Sequence, residues 1–539
     1  MIYFIPAWYQ QDGWMENEQV WYRSRAVTEF DDTVKQVQLF FRRHVAPFKI
    51  VLLSFSPNFR HFLHRQGVYH APYWSCFDAM QGICTHTMRT FSFHELSWPE
   101  DMKFIYSPFA VMAYREDQKF AQVEFAEDGN MFRIDLFHAG QRVSTNLYDD
   151  RGFVSCEISY RDGIAVRQRF FDPDGTWKFA QYLDDGHVVI NPSSAWYLHG
   201  TGDEAQRVPY RHLRYARIDD VIAEVLTDFL ADVPPTDKFI IAMHPRHSRV
   251  LSRVLAGRPK IVSVFGRRND GARQSSDGDK LLQDTLCVVA DNNAAIAKAK
   301  AHLGSIRVPV RVITPYEARM EFNDSQHLHV QNILVAVDAL QDAQFKAITT
   351  ALASYIQTTN HQARVCLFTR SSRYETRSAL LARTQAALEQ AGFNPAMAGA
   401  EQSDSEIELL DHELANVFSV AQCVDELHVS RTIREQRVVV DLSPAPDQFL
   451  QISAMSMGVP QITSHETEYI ADGKNGKVLK DVSELVSAVD FYLSSVEHFN
   501  EAQIASYDLG SQFTADELVR AWKEVISIGQ HPSPAAGER

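Results

Sequence analysis

Apolar and polar positions follow three rhythms along the chain. At the start, short apolar runs alternate with segments of helical spacing. The run Ile2–Ile5 ends at Pro6, and a helix capped by Asp31 or Asp32 then places Val34, Val37 and Phe41 on one stripe. The run 49–55 (KIVLLSF) and a helix over 58–65 follow. This βαβα opening predicts a doubly wound parallel sheet.

Between 103 and 191 the rhythm becomes period two, in runs such as FRIDLF, VSCEISY and AVRQRFF. Asp128-Gly129, Ala139-Gly140, Arg151-Gly152, Asp162-Gly163, Asp174-Gly175 and Asp185-Gly186 separate the runs. Turns at intervals of about ten residues predict an antiparallel β-meander. Since βα alternation resumes afterwards, with a helix over 218–232 and strands near 238–242, 261–265, 285–290 and 308–313, the meander is an insertion.

After a linker near 316–328, new βα units begin with strand 331–337, helix 343–355 and strand 364–369. The stretch 447–479, DQFLQISAMSMGVPQITSHETEYIADGKNGKVL, carries a short apolar helix, a stop at Gly458, a β-branched strand entered through Pro460, and turns at Asp472-Gly473 and Asn475-Gly476. The predicted fold class is α/β, with two Rossmann-type doubly wound domains and the meander inserted in the first. Residues 1–102 and 205–328 are expected to form the first domain, 103–204 the insertion and 329–512 the second domain. A C-terminal helix at 513–530 is expected to brace the first half, and 531–539 to be a disordered tail. Removing the meander is expected to leave two folded halves.

The 539 residues, 45% hydrophobic and 22% charged, suffice for two or three cores. A net charge of −15 argues against nucleic acid as a partner. Six scattered cysteines without a C-x-x-C read as buried reduced thiols, which favours the cytoplasm. No apolar run reaches the ~20 residues that span a bilayer. The opening MIYFIPAWY lacks a basic flank and reads as a first strand, not a signal peptide.

Candidate chemistry is sparse. The chain has no G-x-S-x-G, P-loop, H-E-x-x-H or G-x-G-x-x-G motif. His61, His64 and His70 are spaced like metal ligands, but no Cys or carboxylate joins them, and Asp172-x-Asp174 runs into Gly175 as a hairpin turn. No catalytic, cofactor-binding or metal-ligating residue is predicted. One charge feature remains, the acid-free run Arg246, Arg249, Arg253, Arg258, Lys260, Arg267 and Arg268 in an acidic chain. Two readings stay open for it: a solvated helix face, or a docking patch for an acidic partner or the inner leaflet.

Ala454-Met455, Gly458, Pro460, Ile462, Glu468-Tyr469-Ile470, Asp472-Gly473 and Asn475-Gly476 together resemble the donor-site end of GT-B glycosyltransferases. That resemblance implies a glutamate before Ala-Met and another eight positions earlier; Ser453 and Ala445 stand there. It also implies an Arg and a Lys, five positions apart, to stabilise the leaving diphosphate; Ala339 and Gln344 take their places. The loop after the first strand, with its lone Gly13, is a poor phosphate cradle. Gly458, Pro460, Glu468, Asp472, Gly473 and Gly476 are therefore expected to serve folding and not a donor.

Taken with the opening MIYFIPAWY, the segment SCFDAMQGI at 75–83 and the inserted meander, the chain resembles accessory secretory protein one of the accessory Sec system. This implies a GT-B-like protein without transferase activity. It further implies partnership with the second and third accessory secretory proteins and the accessory SecA motor, in export of glycosylated serine-rich repeat adhesins. An active GT-B glycosyltransferase acting on the adhesin, and a carbohydrate-binding module using the meander, remain as alternatives.

Overall fold

The computed structural model describes residues 1–9, 13–15, 32–108, 110–126, 129–200, 204–265, 276–303, 308–370, 376–399, 416–423 and 425–529. Asp31, Asp128, Arg267, Arg268 and the tail 531–539 lie outside them. Two compact units emerge, one from the described parts of 1–24, 36–312 and 523–539, the other from those of 25–35 and 313–522.

In unit 1, β1 (Ile2–Ile5), β2 (Phe48–Leu52) and β3 (Tyr73–Ser75) alternate with α1 (Asp32–Arg43, of which 36–43 belong to this unit), α2 (Phe59–Arg65) and α3 (Cys76–Gln81). An antiparallel system follows: β4 (Lys103–Tyr106), β5 (Ala110–Arg115), β6 (Gln118–Phe125), β7 (Met131–His138), β8 (Gln141–Asp149), β9 (Phe153–Arg161), β10 (Ile164–Phe171), β11 (Trp177–Tyr182) and β12 (Val188–Ile190). The hairpin β13 (Trp196–His199) and β14 (Gln206–Pro209) precedes the short β15 (Arg214–Tyr215). Alternation then resumes with α4 (Ile218–Ala231), β16 (Lys238–Ala242), α5 (Pro245–Val254), β17 (Lys260–Val264), α6 (Ser276–Gln283), β18 (Cys287–Ala290), α7 (Asn293–Leu303) and β19 (Val310–Val312). The parallel sheet has the order β19-β18-β17-β16-β1-β2-β3. Its central strands are buried throughout, which is why they read as unbroken apolar runs.

The antiparallel sheet has the order β15-β12-β11-β10-β9-β8-β7-β6-β5-β4. It continues past residue 204, because Val188 and Val189 pair with Tyr215 and Arg214. Nor is it a free-standing module. Leu147, Cys156, Phe170 and Phe179 share one buried core with Phe55 and Phe77 of the parallel layer, with Phe170 stacked on Phe179 at 4.4 Å and edge-on to Phe55 at 5.1 Å. Farther along the sheet, Val111, Ala113, Val123, Met131 and Ile134 build a separate core with Phe93. Period-two spacing reports that one face is apolar but not which layer covers it, so the expectation that the sheet can be cut away does not follow.

A buried charge cluster fastens the sheet further. In the turn between β8 and β9, Arg151 Nε donates to Asp149 Oδ1 at 2.6 Å and its Nη2 donates to Asp78 Oδ1 at 2.8 Å, while Arg60 Nη2 reaches Asp149 Oδ1 at 3.2 Å. Burial alone would raise the Asp149 carboxyl, but Arg151 and Arg60 outweigh it and hold the group low. Residues 523–529 also belong to unit 1, where Lys238 Nζ donates to the carbonyls of Ile526 and, at 2.7 Å, Ile528.

Unit 2 contains β20 (Gln331–Ala336), α8 (Asp342–Thr358), β21 (Ala363–Thr369), α9 (Arg377–Gln390), β22 (Phe418–Gln422), α10 (Glu426–Arg434), β23 (Gln436–Asp441), α11 (Gln448–Ser456), β24 (Gln461–Thr463), β25 (Gly476–Val478), α12 (Leu485–Leu493) and α13 (Val496–Gly510). All its strands are parallel, in the order β22-β21-β20-β23-β24-β25. The order reverses at β20, which makes the carboxyl ends of β20, β21 and β23 the place where such a sheet opens a ligand crevice.

Candidate functional site: the carboxyl edge of the second sheet

Each of these three strands ends in a polar group that its apolar run delivers to the edge. β20 is followed by Asp338, β21 ends in Thr369 with Arg370 next, and β23 ends in Asp441. Asp338 accepts from Thr369 Oγ1 and, at 2.9 Å, from the Arg370 main-chain N–H. Arg370 Nη1 donates to both carboxylate oxygens of Asp447, at 2.8 and 2.5 Å, and its guanidinium lies 5.4 Å from the Phe449 ring centre. Asp447 also accepts from Leu450 N at 3.0 Å, capping α11, while its own N–H donates to Asp441 Oδ2 at 2.8 Å. Asp441 further accepts from the Ser443 N–H at 3.1 Å and hydroxyl at 2.6 Å.

Burial pushes the Asp441 carboxyl up to about 6 against the pull of the Ser443 and Asp447 donors. It raises Asp338 too. Asp338 and Asp447 thus both bond to Arg370, and Asp441 bonds to the backbone of Asp447. A nucleoside diphosphate leaving group needs excess positive charge at such a point; among the described residues at this edge Arg370 bonds to the carboxylates of Asp338 and Asp447.

Of the four positions where the GT-B resemblance implies charge, two are exposed and two bond within the fold. Ala339 is exposed in the turn after β20. Gln344, in the first turns of α8, donates from Nε2 to the Leu442 carbonyl at 2.8 Å and so holds the exit of β23. Ala445 is exposed in the loop before α11, and Ser453 is buried in that helix with its carbonyl accepting from Met457 N.

The retained signature closes on itself. Gly458 follows α11 with φ +67°, and a Cβ there would lie 2.5 Å from Gln503 Cγ and 3.1 Å from Tyr507 Cζ of α13. Pro460 is buried at the entry to β24, and its carbonyl accepts from Val439 N. Glu468 is half-buried in the loop that follows. Asn475 is fully buried, accepting from Ala471 N at 2.7 Å and donating to the Tyr469 carbonyl at 2.9 Å. Asp472 accepts from Val478 N at 2.9 Å, Gly473 turns with φ +72°, and Gly476 packs directly against the Gln461 carbonyl. Arg370 and Asp441 were not singled out by sequence reasoning; the readable signal is a charged residue at the end of an apolar strand run, VCLFTR and VVVD.

Three of the five described members of the basic run in unit 1 bond inward. Arg246 pairs with Asp219 and lies 4.6 Å over the Trp14 ring, whose Nε1 donates to the same carboxylate at 2.8 Å. Arg258 donates to the carbonyls of Leu230, Val233 and Pro234 at the end of α4. Lys260 is buried, donating to Leu255 and Arg258 carbonyls and, at 2.7 Å, to Asp284. Among the described members, Arg249 and Arg253 are the exposed ones.

As for metal ligands, His61 uses its main-chain N–H to donate to Asp150 at 3.1 Å, and Asp172 folds back to accept from Asp174 N and Thr176 N as a turn. Among the described residues the one cluster with ligand spacing is Asp184, Asp185 and His187, on the turn between β11 and β12.

The family of the accessory Sec system protein called accessory secretory protein 1 matches residues 1–527. The chain belongs to that family. A curated relative of this description from Streptococcus gordonii is 27% identical over 97% of this chain and 98% of its own length. A solved Glycosylation Associate Protein (Gap123) complex from Streptococcus agalactiae contains a chain of TM-score 0.76 and 26% identity, covering 96% of this chain and 99% of that one. A pneumococcal O-GlcNAc transferase, GtfA, solved with UDP and GlcNAc, superposes with TM-score 0.69 at 12% identity, over 98% of this chain and 99% of that one. At that identity it shows only the fold, which is GT-B-like in the accessory secretory protein family as in the transferase.

Proposed function

We propose that the protein is a non-catalytic, GT-B-like component of the accessory Sec export machinery. It assembles with the second and third accessory secretory proteins and cooperates with the accessory SecA motor to export glycosylated serine-rich repeat adhesins from the cytoplasmic side. The assembly part is supported by similarity to chains solved as complexes of accessory secretory proteins 1, 2 and 3 in Streptococcus pneumoniae. Arg249 and Arg253 are the exposed cations through which an anionic surface, the inner leaflet included, would be met.

One observation carries the non-catalytic reading: at the point of unit 2 where a sugar-nucleotide donor needs cations, Asp338, Asp441 and Asp447 gather and Arg370 is paired with Asp447. Titration calorimetry with UDP-GlcNAc and UDP-glucose is expected to give no heat of binding, while the protein co-purifies with the second and third accessory secretory proteins. Micromolar binding of either nucleotide, or sugar transfer to a serine-rich acceptor, would replace this reading with an active glycosyltransferase.

A further inference from the structure

Where the antiparallel sheet meets the helices of unit 1, a cavity of about 690 Å³ opens between β15, α4 and α5. Its polar wall is fixed from within. Glu224, 7% exposed, accepts from the Arg211 main-chain N–H at 2.9 Å and from the Tyr215 hydroxyl at 2.7 Å, and that hydroxyl accepts from His212 N at 3.1 Å. These bonds tie the backbone of 211–215 to α4.

The rim carries guanidinium groups from two stretches of chain, 211–214 and α5. Arg214 is exposed on β15, Arg253 is exposed on α5, and Arg211 pairs with Asp228 at 2.9 Å. Arg253 forms a long ion pair with Asp220 at 3.9 Å. Planar guanidinium forks match phosphate oxygens. The Asp220 carboxylate and the His212 ring on the same wall suit hydroxyl groups. The volume falls within the usual range for small-molecule sites, roughly 300–1,000 Å³, and exceeds the need of a bare anion.

We propose that this cavity binds a phosphorylated, polyhydroxylated small molecule of sugar-phosphate size, with Arg214 and Arg253 holding the phosphate. The site lies outside the carboxyl edge of unit 2 and shares Arg253 with the anionic surface proposed above, so the vesicle arm of the test separates the two uses.

The test is calorimetry of the full chain at low salt with glucose 6-phosphate, using glucose and inorganic phosphate as controls. Glucose 6-phosphate should bind, glucose should not, and phosphate should bind more weakly. The double variant Arg214→Glu/Arg253→Glu should weaken glucose 6-phosphate about tenfold or more with an unchanged melting curve. Arg249→Glu, exposed on the same helix but outside the lining, should leave it unchanged. The proposal is overturned by absence of binding at millimolar ligand, or by equal weakening in Arg249→Glu, which would mean a diffuse field. Sedimentation with phosphatidylglycerol vesicles without glucose 6-phosphate binding would overturn it as well, making the arginines a membrane surface.

Discussion

Asp150, on the turn between β8 and β9, caps a helix ninety residues away: one carboxylate oxygen accepts from the main-chain N–H groups of Arg60 and His61 at 3.0 and 3.1 Å, the other from the Arg60 guanidinium. Arg60 is itself buried and also donates to the Pro57 carbonyl at 2.7 Å. Without the Asp150 carboxylate Arg60 keeps Asp149 at 3.2 Å, but two main-chain N–H groups of the helix and one guanidinium N–H lose their acceptor in a buried site, at a cost on the order of 3 kcal/mol. Asp150→Ala is therefore expected to lower Tm by roughly 10 °C. A wild-type melting curve for the variant would show that this contact does not fasten the antiparallel sheet.

The retained glycines should rank by what surrounds them. Gly473 has φ +72° and open space where a Cβ would go, so Gly473→Ala should cost about 1 kcal/mol, the ordinary strain of a left-handed residue. Gly458→Val adds overlap with Gln503 and Tyr507 to the same strain, and Gly476→Ala meets the Gln461 carbonyl, a backbone atom that cannot move aside cheaply. Both should lose clearly more stability than Gly473→Ala in chemical denaturation. Assembly with partner proteins should fall in parallel with Tm. Lost assembly at unchanged Tm would assign these glycines to binding.

Substitutions along the basic run should divide by burial. Arg249→Glu/Arg253→Glu alters two exposed side chains and should leave Tm within about 1–2 °C. Lys260→Glu puts a carboxylate beside Asp284 and the Leu255 and Arg258 carbonyls, and Arg246→Glu faces Asp219; both should destabilise markedly. Circular dichroism melts of the three variants check the order. If only the exposed pair also abolishes sedimentation with anionic vesicles, in a salt-dependent way, the surface reading of Arg249 and Arg253 is supported.

The buried Asp441 carboxyl, at about 6, lies above the ordinary value of about 3.9. At pH 5 the folded protein keeps this proton and the unfolded chain has lost it, so the group's contribution to stability is full below about pH 4 and is lost as pH rises through about 6. The loss is on the order of 2–3 kcal/mol. Asp441→Asn removes the titration, so its Tm should change less than that of the wild type between pH 5 and pH 7.5. Parallel pH profiles for the two proteins would count against a raised Asp441.

Local spacing was enough to determine the βα alternation, the hairpin turns of the antiparallel sheet, the helix and strand around Gly458, and the absence of charge at Ala339, Gln344, Ala445 and Ser453. These features depend on backbone periodicity and turn chemistry, which neighbouring residues encode. Tertiary structure alone decided the rest. Lys260 and Arg258 look like members of a surface charge run, yet their strand and turn direct them onto buried carbonyls. Phe170 and Phe179 alternate like any half-buried strand, and only the layer packed against them makes their sheet part of the first unit's core. Arg370 meets Asp447, and Asp441 meets the backbone of Asp447, because β21, β20 and β23 lie side by side in an order that sequence distance does not reveal. A charge at the end of one strand acquires its partner from the next strand in the sheet, so the charge pairing at that edge is a property of strand order.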